Sequence, residues 1–433
     1  MIIVSLKLSK PFTKTGEFFI PEQDVGWRGS FSYDPTKGLF LHLKNLPLSY
    51  KNDSGFKVMT GIIDGHPYSC TLVNIIPQES MFSGNQDGLT RTNTFAVEAI
   101  LLGKRISDER ELVFDQVHFS YSNFREWLNK PTIFLPYTEG DKIATIKKLP
   151  KIKGALDDSF NFQIEIGNEG EYPKESFDIS LRQYVTFGIV SKNGKLFPLK
   201  YFLHMNKIIK YFFMFLQGRY VTEESIFCGD KAKAGEPLEL VQFYRRFKKA
   251  KKLKDQEHFT HDYNPLIFER ILQNWIKKYN NMPDFFDRFF ENVIKDDLSP
   301  IDKFENLCQS LLSYYNYKFE ERRQSEEEYT SFFNTLISKL ENDEKQFVER
   351  FRLLGNRFSL RQQLDKIFEQ LDYLKDKDSR DRYVNAVVDL RNRIEHATEN
   401  ISHSLIRDAF GMAHNLTSFT SNLILHEIEY DEK

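Results

Sequence analysis

The sequence has little cysteine and no apolar run of membrane length. Among 433 residues the cysteines are Cys70, Cys228 and Cys308, which lie far apart and form no CxxC pair. This spacing excludes a disulfide framework and a cysteine zinc site, and it is typical of a reducing cytoplasm. No apolar stretch reaches the roughly 18 residues of a membrane span, and the opening MIIVSLKLSK is too polar for a signal peptide. We therefore expect a cytoplasmic protein without a membrane segment.

An excess of charge of one sign is also lacking. Lys and Arg together number 60 and Asp and Glu 62, which leaves a net charge of −2 at pH 7. This balance excludes a general affinity for nucleic acid, so any contact with RNA must come from a local patch. Aromatic residues, in contrast, are abundant, with 40 Phe and 20 Tyr. They allow a highly charged chain to pack its cores, and the length predicts two or three domains.

Short alternating stretches separated by turn residues predict strands over the first 200 residues. Gly29–Tyr33 is expected to pair with Leu39–Leu43, and Val58–Ile63 with Tyr68–Ile76. Further strands are predicted at Thr94–Gly103, Glu111–Tyr121, Lys142–Lys148, Phe160–Ile166 and Phe177–Leu181, and Asn193-Gly194 predicts a hairpin between Val185–Ser191 and Leu196–Leu199. Such a series predicts an antiparallel β-sandwich or barrel-like region that binds a ligand or serves as a scaffold.

From Lys200 the apolar period changes from two to about 3.6, which indicates helices. Phe202–Leu216 is expected to be the first of them, ending at Gly218, and Thr222–Glu236 is expected to be a loop. Later helices are predicted near 265–280, 283–295, 300–318, 326–353, 359–374, 379–398 and 402–427. Long periodic runs with short joins are typical of a bundle. The predicted fold class is therefore α+β, with a β-rich domain over 1–200, a helical connecting region over 201–300 and a helical bundle over 301–433.

Basic residues are concentrated in the stretch Tyr244–Lys254. Its cations Arg245, Arg246, Lys248 and Lys249 are interleaved with aromatic side chains, which predicts a contact with an RNA backbone. The alternative is a solvated helix end beside a flexible link. The last helix carries His403, His414 and His426, but no carboxylate or cysteine stands at metal-ligand spacing from them, so we expect no metal and no other cofactor.

The stretch with the strongest candidate catalytic side chains lies on the predicted helix 379–398. Its apolar positions follow the spacing of one buried helical face and are Val384, Val387, Leu390, Ile394, Ala397 and Ile401. Asn392 and His396 point away from that face, one turn apart. Arg391 and Glu395 form a second pair at turn spacing. The helix thus presents an amide, an imidazole and a guanidinium.

These groups suit the cleavage of a phosphodiester. Histidine titrates near neutral pH and can move a proton to or from a ribose hydroxyl. The planar fork of arginine fits phosphate and stabilises the charge that grows on it. We expect His396 to act as general acid or base, Arg391 to hold the phosphate, and Asn392 to position the RNA backbone or His396. Arg393 is expected to contact the RNA.

The order Arg391-Asn392-Arg393-Ile394-Glu395-His396 resembles the signature of HEPN-domain ribonucleases, in which Arg-Asn is followed by three residues and His. Its place on the second-to-last long helix of a C-terminal bundle is similar too. The first half of the chain resembles the domain that is paired with HEPN in ApeA-type anti-phage proteins. The similar features are Gly29, Tyr33-Asp34-Pro35, Gly38, Gly61, Cys70-Thr71-Leu72, Leu101-Leu102-Gly103, Val113-Phe114, Phe119 and Trp127-Leu128.

This resemblance implies an abortive-infection effector in which a sensing half controls a ribonuclease half. The implied substrate is RNA, with tRNA expected in preference to mRNA. Cleavage is expected to need no metal and to leave a 2′,3′-cyclic phosphate. Arg391, Asn392 and His396 are the implied catalytic residues. The acidic Glu395 immediately before His396 departs from the family pattern. We expect it to act as a modulator, either by pairing with Arg391 or by raising the imidazole pKa. A phage protein or other trigger is expected at the N-terminal domain.

A homodimer is part of the prediction. One histidine is poorly suited to be base and acid at once, and Arg391 and His396 diverge by about 140° on an ideal helix. Both difficulties ease if two subunits place their motifs face to face, as HEPN proteins typically do.

Three other interpretations are open. The bundle can be a catalytically silent HEPN module for dimerisation or for nucleotide or protein binding. The first half can be a carbohydrate- or peptide-binding sandwich with a purely structural helical half. The motif can also be a solvated helix face with surface ion pairs Asp389–Arg393 and Arg391–Glu395. The presence of Arg391, Asn392 and His396 together favours the enzyme.

Overall fold

The computed structural model places the chain in two compact units, Met1–Gln273 and Asn274–Lys433. The residues that it describes are 11–20, 25–34, 37–45, 55–64, 69–85, 88–128, 133–134, 145–146, 149–171, 180–229, 238–242, 265–295, 297–319, 322–350, 352–356, 358–370, 374, 376–397 and 401–429.

Six strands of the first unit form a closed antiparallel barrel. They are β1 (Phe12–Phe19), β2 (Gly26–Asp34), β3 (Gly38–Lys44), β4 (Phe56–Ile63), β5 (Ser69–Asn85) and β6 (Gly88–Leu102). Hydrogen-bonded neighbours follow the order β6-β3-β2-β1-β4-β5, and β5 pairs with β6 again. This return closes the ring, so that each of the six strands pairs with a neighbour on both sides within the barrel. The predicted antiparallel region is confirmed in its barrel form, and so are the pairings β2–β3 and β4–β5.

Alternation along the strands fills the barrel with apolar side chains. Successive residues of a strand point to opposite faces, so Leu39, Leu41 and Leu43 of β3 are all buried while His42 between them is not. Phe18 of β1 and Phe31 of β2 pack edge to face in the same core, with ring centroids 6.5 Å apart.

The other strands of the first unit mostly extend this sheet. They are β7 (Val113–Phe114), β8 (Gln116–Tyr121), β9 (Ile133–Phe134), β10 (Thr145–Ile146), β11 (Ile152–Ala155), β12 (Phe160–Glu171), β13 (Ser180–Ser191), β14 (Phe197–Pro198), β15 (Glu223–Gly229) and β16 (Leu238–Gln242). From β6 the sheet continues in the order β16-β15-β8-β13-β12-β11, while β9 pairs with β10 and β7 with β14.

Two helices cover the extended sheet, α1 (Phe124–Leu128) and α2 (Leu199–Gln217). The phenylalanine side chains of α2 are buried in the core, as its spacing predicts. Phe213, for example, packs against Phe124 at 4.7 Å and Phe187 at 5.7 Å between ring centroids. The helix ends at Gly218, whose φ of 60° is the left-handed conformation that glycine adopts most readily.

The predicted hairpin across Asn193-Gly194 is wrong. Phe197–Pro198 pairs with Val113–Phe114 instead of returning along β13. The reason is that β13 lies between β12 and β8 in the sheet, so both of its edges are occupied. The amide of Lys192 already donates to the carbonyl of Ser159 at 2.8 Å, which directs the chain away after the turn.

The loop predicted over Thr222–Glu236 is also wrong in part, because Glu223–Gly229 forms β15 between β8 and β16. Glu223 is buried there, with its carboxylate 3.0 Å from the Lys210 ammonium and 2.9 Å from the Asn206 amide nitrogen. Burial acts to raise the pKa of Glu223, but the Lys210 charge and these hydrogen bonds hold that pKa below its usual value.

The second unit is helical. Its helices, beginning with the one that runs in from the first unit, are α3 (Pro265–Asn281), α4 (Pro283–Ile294), α5 (Pro300–Phe319), α6 (Glu326–Ser338), α7 (Asn342–Glu349), α8 (Arg352–Gly355), α9 (Leu360–Gln370), α10 (Lys377–Glu395) and α11 (His403–Glu427). Helix α5 packs against α4, α9 and α11 and so supplies the centre of the unit. The predicted helical bundle is confirmed.

The single helix predicted over 326–353 is wrong, since the chain forms α6, α7 and α8 there. At the end of α6 the amide of Lys339 donates to the carbonyl of Leu336. Glu341 and Glu344 then form a reciprocal capping box that starts α7. Local capping therefore overrides the apolar period.

A buried carboxylate joins three helices of the second unit. Glu427 of α11 accepts from Lys278 of α3 at 2.5 Å, from Lys318 of α5 at 2.9 Å and from the Tyr314 hydroxyl of α5 at 2.7 Å. The Glu427 side chain is only 2% exposed, so these contacts replace its water. Within the described ranges, none of the helices is long and apolar enough to cross a membrane.

Candidate active site

Helix α10 carries the predicted site, and its sequence explains where it begins and ends. The Asp376 side chain caps the first turn by accepting from the Ser379 amide at 2.9 Å. Val384, Val387 and Leu390 are buried, as the spacing predicts. The last helical residue is Glu395, and His396 is the C-cap.

The predicted extension of the helix to 398 and of its buried face to Ile401 is wrong. Ile401 follows the end of α10 and is 55% exposed. The amide of Ala397 bonds to the carbonyl of Ile394, a tighter turn that closes the helix.

Arg391 occupies the inner side of the site. Its guanidinium lies 2.8 Å from the Glu395 carboxylate, and its side chain is 24% exposed against 48% for Glu395. Burial raises the pKa of the Cys308 thiol in α5 to about 12, and the positive charge of Arg391 acts against that rise. Arg391 therefore stands close to α5, held by Glu395, with further N–H donors available for a second anion.

Asn392 and His396 lie on the outer side of the same helix, and both are exposed. The amide of His396 donates to the carbonyl of Asn392 at 3.0 Å, which keeps the two residues one turn apart. An imidazole and an amide thus share one solvent-facing arc, as predicted, while Arg391 lies around the helix from them.

The structure pairs Glu395 with Arg391, one of the two roles expected for it. Arg393, which is expected to contact RNA, also forms an ion pair that the sequence did not predict. Its guanidinium lies 2.9 Å from Asp408 of α11, instead of pairing with Asp389 one turn earlier on α10. This contact was missed because it joins two helices and has no signal in local spacing. It places α11 beside α10 at the level of the motif.

The other predicted RNA contacts, Arg245, Arg246, Lys248 and Lys249, lie outside the described residues. Within the described ranges, His, Cys, Asp and Glu side chains do not form a group of three or more that could hold a metal ion. Cys70, Cys228 and Cys308 are buried and unpaired with one another.

Comparison with known families agrees with both units. The model of ApeA N-terminal domain 1 matches residues 13–275, and that of the Apea-like HEPN domain matches residues 305–425. The first match alone spans more than half of the chain. No curated protein and no solved structure gives a significant match. The chain therefore belongs to the ApeA-like family of HEPN-domain anti-phage proteins.

Proposed function

We propose that the protein is a metal-independent HEPN endoribonuclease that acts as an abortive-infection effector. The observation that carries this proposal is the position of Arg391, Asn392 and His396 on α10, inside the segment matched by the HEPN family. HEPN domains are generally ribonucleases. Two of the three side chains are exposed to a substrate, and the third is held in place by Glu395.

The proposed reaction is an internal transfer at phosphorus. The ribose 2′-oxygen attacks the phosphate, the bond to the 5′-oxygen breaks, and a 2′,3′-cyclic phosphate and a 5′-hydroxyl result. His396 accepts the proton of the 2′-hydroxyl or donates one to the leaving oxygen. Arg391 balances the charge on the phosphate with the N–H groups that Glu395 leaves available. Asn392 positions the RNA backbone beside His396.

Sequencing of RNA 3′ ends after induced expression and phage infection, for wild type beside His396→Ala, tests the activity directly. Once infection has activated it, wild type should produce cyclic-phosphate ends at defined positions, with tRNA as the expected main target, and the variant should not. Identical end maps for the two proteins would contradict the proposal.

A homodimer completes the proposed site. Asn392 and His396 face solvent on one helix, where phosphate contacts are screened by water. A second copy across a two-fold axis would supply another Arg391 and His396 and exclude that water.

Mixing two inactive variants tests the composite site. If one site takes Arg391 from one subunit and His396 from the other, mixing Arg391→Ala with His396→Ala should restore part of the activity in heterodimers. If each site needs both residues from both subunits, the mixture stays inactive while light scattering still shows a dimer. A protein that is monomeric at micromolar concentration and cleaves RNA at full rate would exclude the composite site in either form.

The N-terminal unit is proposed to sense a phage protein or another trigger. This proposal is based on a large β-rich unit that matches the ApeA N-terminal domain model. That unit precedes the helical unit that carries the motif. A ligand that binds the active state better shifts the population towards it. Expression of the full chain should therefore be harmless until infection, when RNA cleavage begins. Equal cleavage with and without phage would contradict the sensing role.

The second candidate is a catalytically silent HEPN module for dimerisation or for nucleotide or protein binding. The Arg391–Glu395 pair favours it, because such pairs also occur on inert helix faces. Activity that survives in His396→Ala would point to a contaminating nuclease and hence to this candidate.

A further inference from the structure

Helix α11 exposes a narrow stripe of aromatic and basic side chains on the side opposite its buried face. The stripe consists of His403, Arg407, Phe410 and His414, all exposed. At about 100° per residue the four lie within an arc of about 60° and extend about 16 Å along the helix. Buried on the opposite face are Leu405, Ala409, Ala413 and Leu416.

Phe410 is unusually exposed for an aromatic residue on a packed helix. Its side chain is 68% exposed, while helices normally turn such a ring towards the core. Its neighbours along the stripe are polar. A stable contact between two proteins usually has an apolar centre of several residues within an area of about 800 Å² per partner. One phenyl ring among an arginine and two imidazoles does not provide that.

The charges around the stripe favour an anion. The acidic residues of α11 are Asp408 and Glu427. Asp408 is paired with Arg393 at 2.9 Å, and Glu427 is buried against Lys278 and Lys318. Both carboxylates are thus neutralised by neighbours, whereas Arg407 forms no ion pair among the described residues. An exposed aromatic ring beside such a cation is how proteins bind single-stranded nucleic acid, by stacking on bases and contacting phosphates.

The stripe also lies at the level of the motif along the axis of α11, about 100° to 160° around the helix from Asp408. The ion pair between Arg393 and Asp408 joins α10 and α11 side by side. His396 is three residues from Arg393 and Phe410 two from Asp408, so each is within one helical turn of the shared pair.

We propose that the stripe of α11 is a binding site for single-stranded RNA, with a base stacked on Phe410 and a phosphate at Arg407. This inference rests on the proposed function for its substrate class, but it concerns binding and can be tested without cleavage.

The test measures the affinity of the full-length His396→Ala protein for a fluorescein-labelled single-stranded RNA by fluorescence anisotropy. Adding Phe410→Ala should weaken binding by about tenfold or more, the usual effect of losing one stacked base. Phe410→Tyr should bind like the parent, because it retains the ring. Arg407→Gln should weaken binding and reduce the slope of affinity against salt by about one.

Phe332→Ala is the matched control. Phe332 is 56% exposed on α6, whose first turn is acidic, so its loss should leave RNA affinity unchanged. Circular dichroism of each variant checks that the fold is intact. Equal affinity of the Phe410→Ala and parent proteins, or no binding by the parent, would overturn the proposal. So would a fall in mass by light scattering in Phe410→Ala with unchanged RNA affinity, since that result assigns the stripe to a second copy.

The failure of this inference and of the proposed function are distinguishable. If wild type cleaves RNA and Phe410→Ala cleaves it with the same KM, the stripe is not the binding site and the ribonuclease stands. If RNA binding depends on Phe410 but wild type produces no cleaved ends, the binding site stands and the ribonuclease does not.

Discussion

The activated His396→Ala protein should cleave RNA at least about 10²-fold more slowly than wild type, the usual contribution of one acid–base group. Arg391→Ala should lose a similar factor, because a preorganised cation no longer balances the phosphate charge. Arg391→Lys should also be poor, since it keeps the charge but lacks the planar fork. Initial rates on a labelled RNA, measured in EDTA, give these ratios.

Arg382→Ala provides the matched control for this series. Arg382 is exposed on the same helix, and its guanidinium donates to the Ser379 hydroxyl at 3.1 Å, away from the motif. Its loss should leave the rate unchanged. The Arg391–Glu395 pair is partly exposed, so breaking it should cost less than about 1 kcal/mol of folding stability, and lost activity cannot be attributed to unfolding. Cleavage that EDTA abolishes and Mg²⁺ restores would contradict the metal-free mechanism.

The largest effect on stability is expected at Glu427. Glu427→Gln removes the charge that faces Lys278 and Lys318 in the interior of the second unit. Loss of one partner of a buried ion pair costs about 3–5 kcal/mol, and we expect the lower end because both lysines are partly exposed. Urea unfolding of the full chain measures the change. Glu349→Gln is the control, since its pair with Arg352 is exposed and should contribute less than about 1 kcal/mol.

The same carboxylate predicts a pH dependence. Burial acts to raise the pKa of Glu427, but the hydrogen bonds from Lys278, Lys318 and Tyr314 lower it to about 2. A carboxyl whose pKa is lower in the folded state stabilises the fold above its unfolded pKa of about 4.3. This contribution is lost as the pH falls from there towards about 2. The difference in stability between wild type and Glu427→Gln should therefore shrink over that window, and a constant difference would exclude the assignment.

Local patterns in the chain were enough to predict most of the secondary structure. The alternation around Leu41 predicted a strand with its pairing, and prolines at 265, 283 and 300 marked the starts of α3, α4 and α5. The errors arose where neighbours distant in sequence decide the outcome. Asn193-Gly194 has the residues of a hairpin turn, yet β13 had no free edge to pair with the returning segment.

The same distinction between local pattern and tertiary contacts applies to the candidate site. The sequence by itself determined that Arg391, Asn392 and His396 share one helix with Asn392 and His396 one turn apart, because helical geometry depends only on spacing. Only the tertiary structure decided that Arg391 stands near Cys308, that Arg393 pairs with Asp408, and that Phe410 stays exposed. Each of these depends on which helices pack together, and that is set by the sum of many contacts between distant residues.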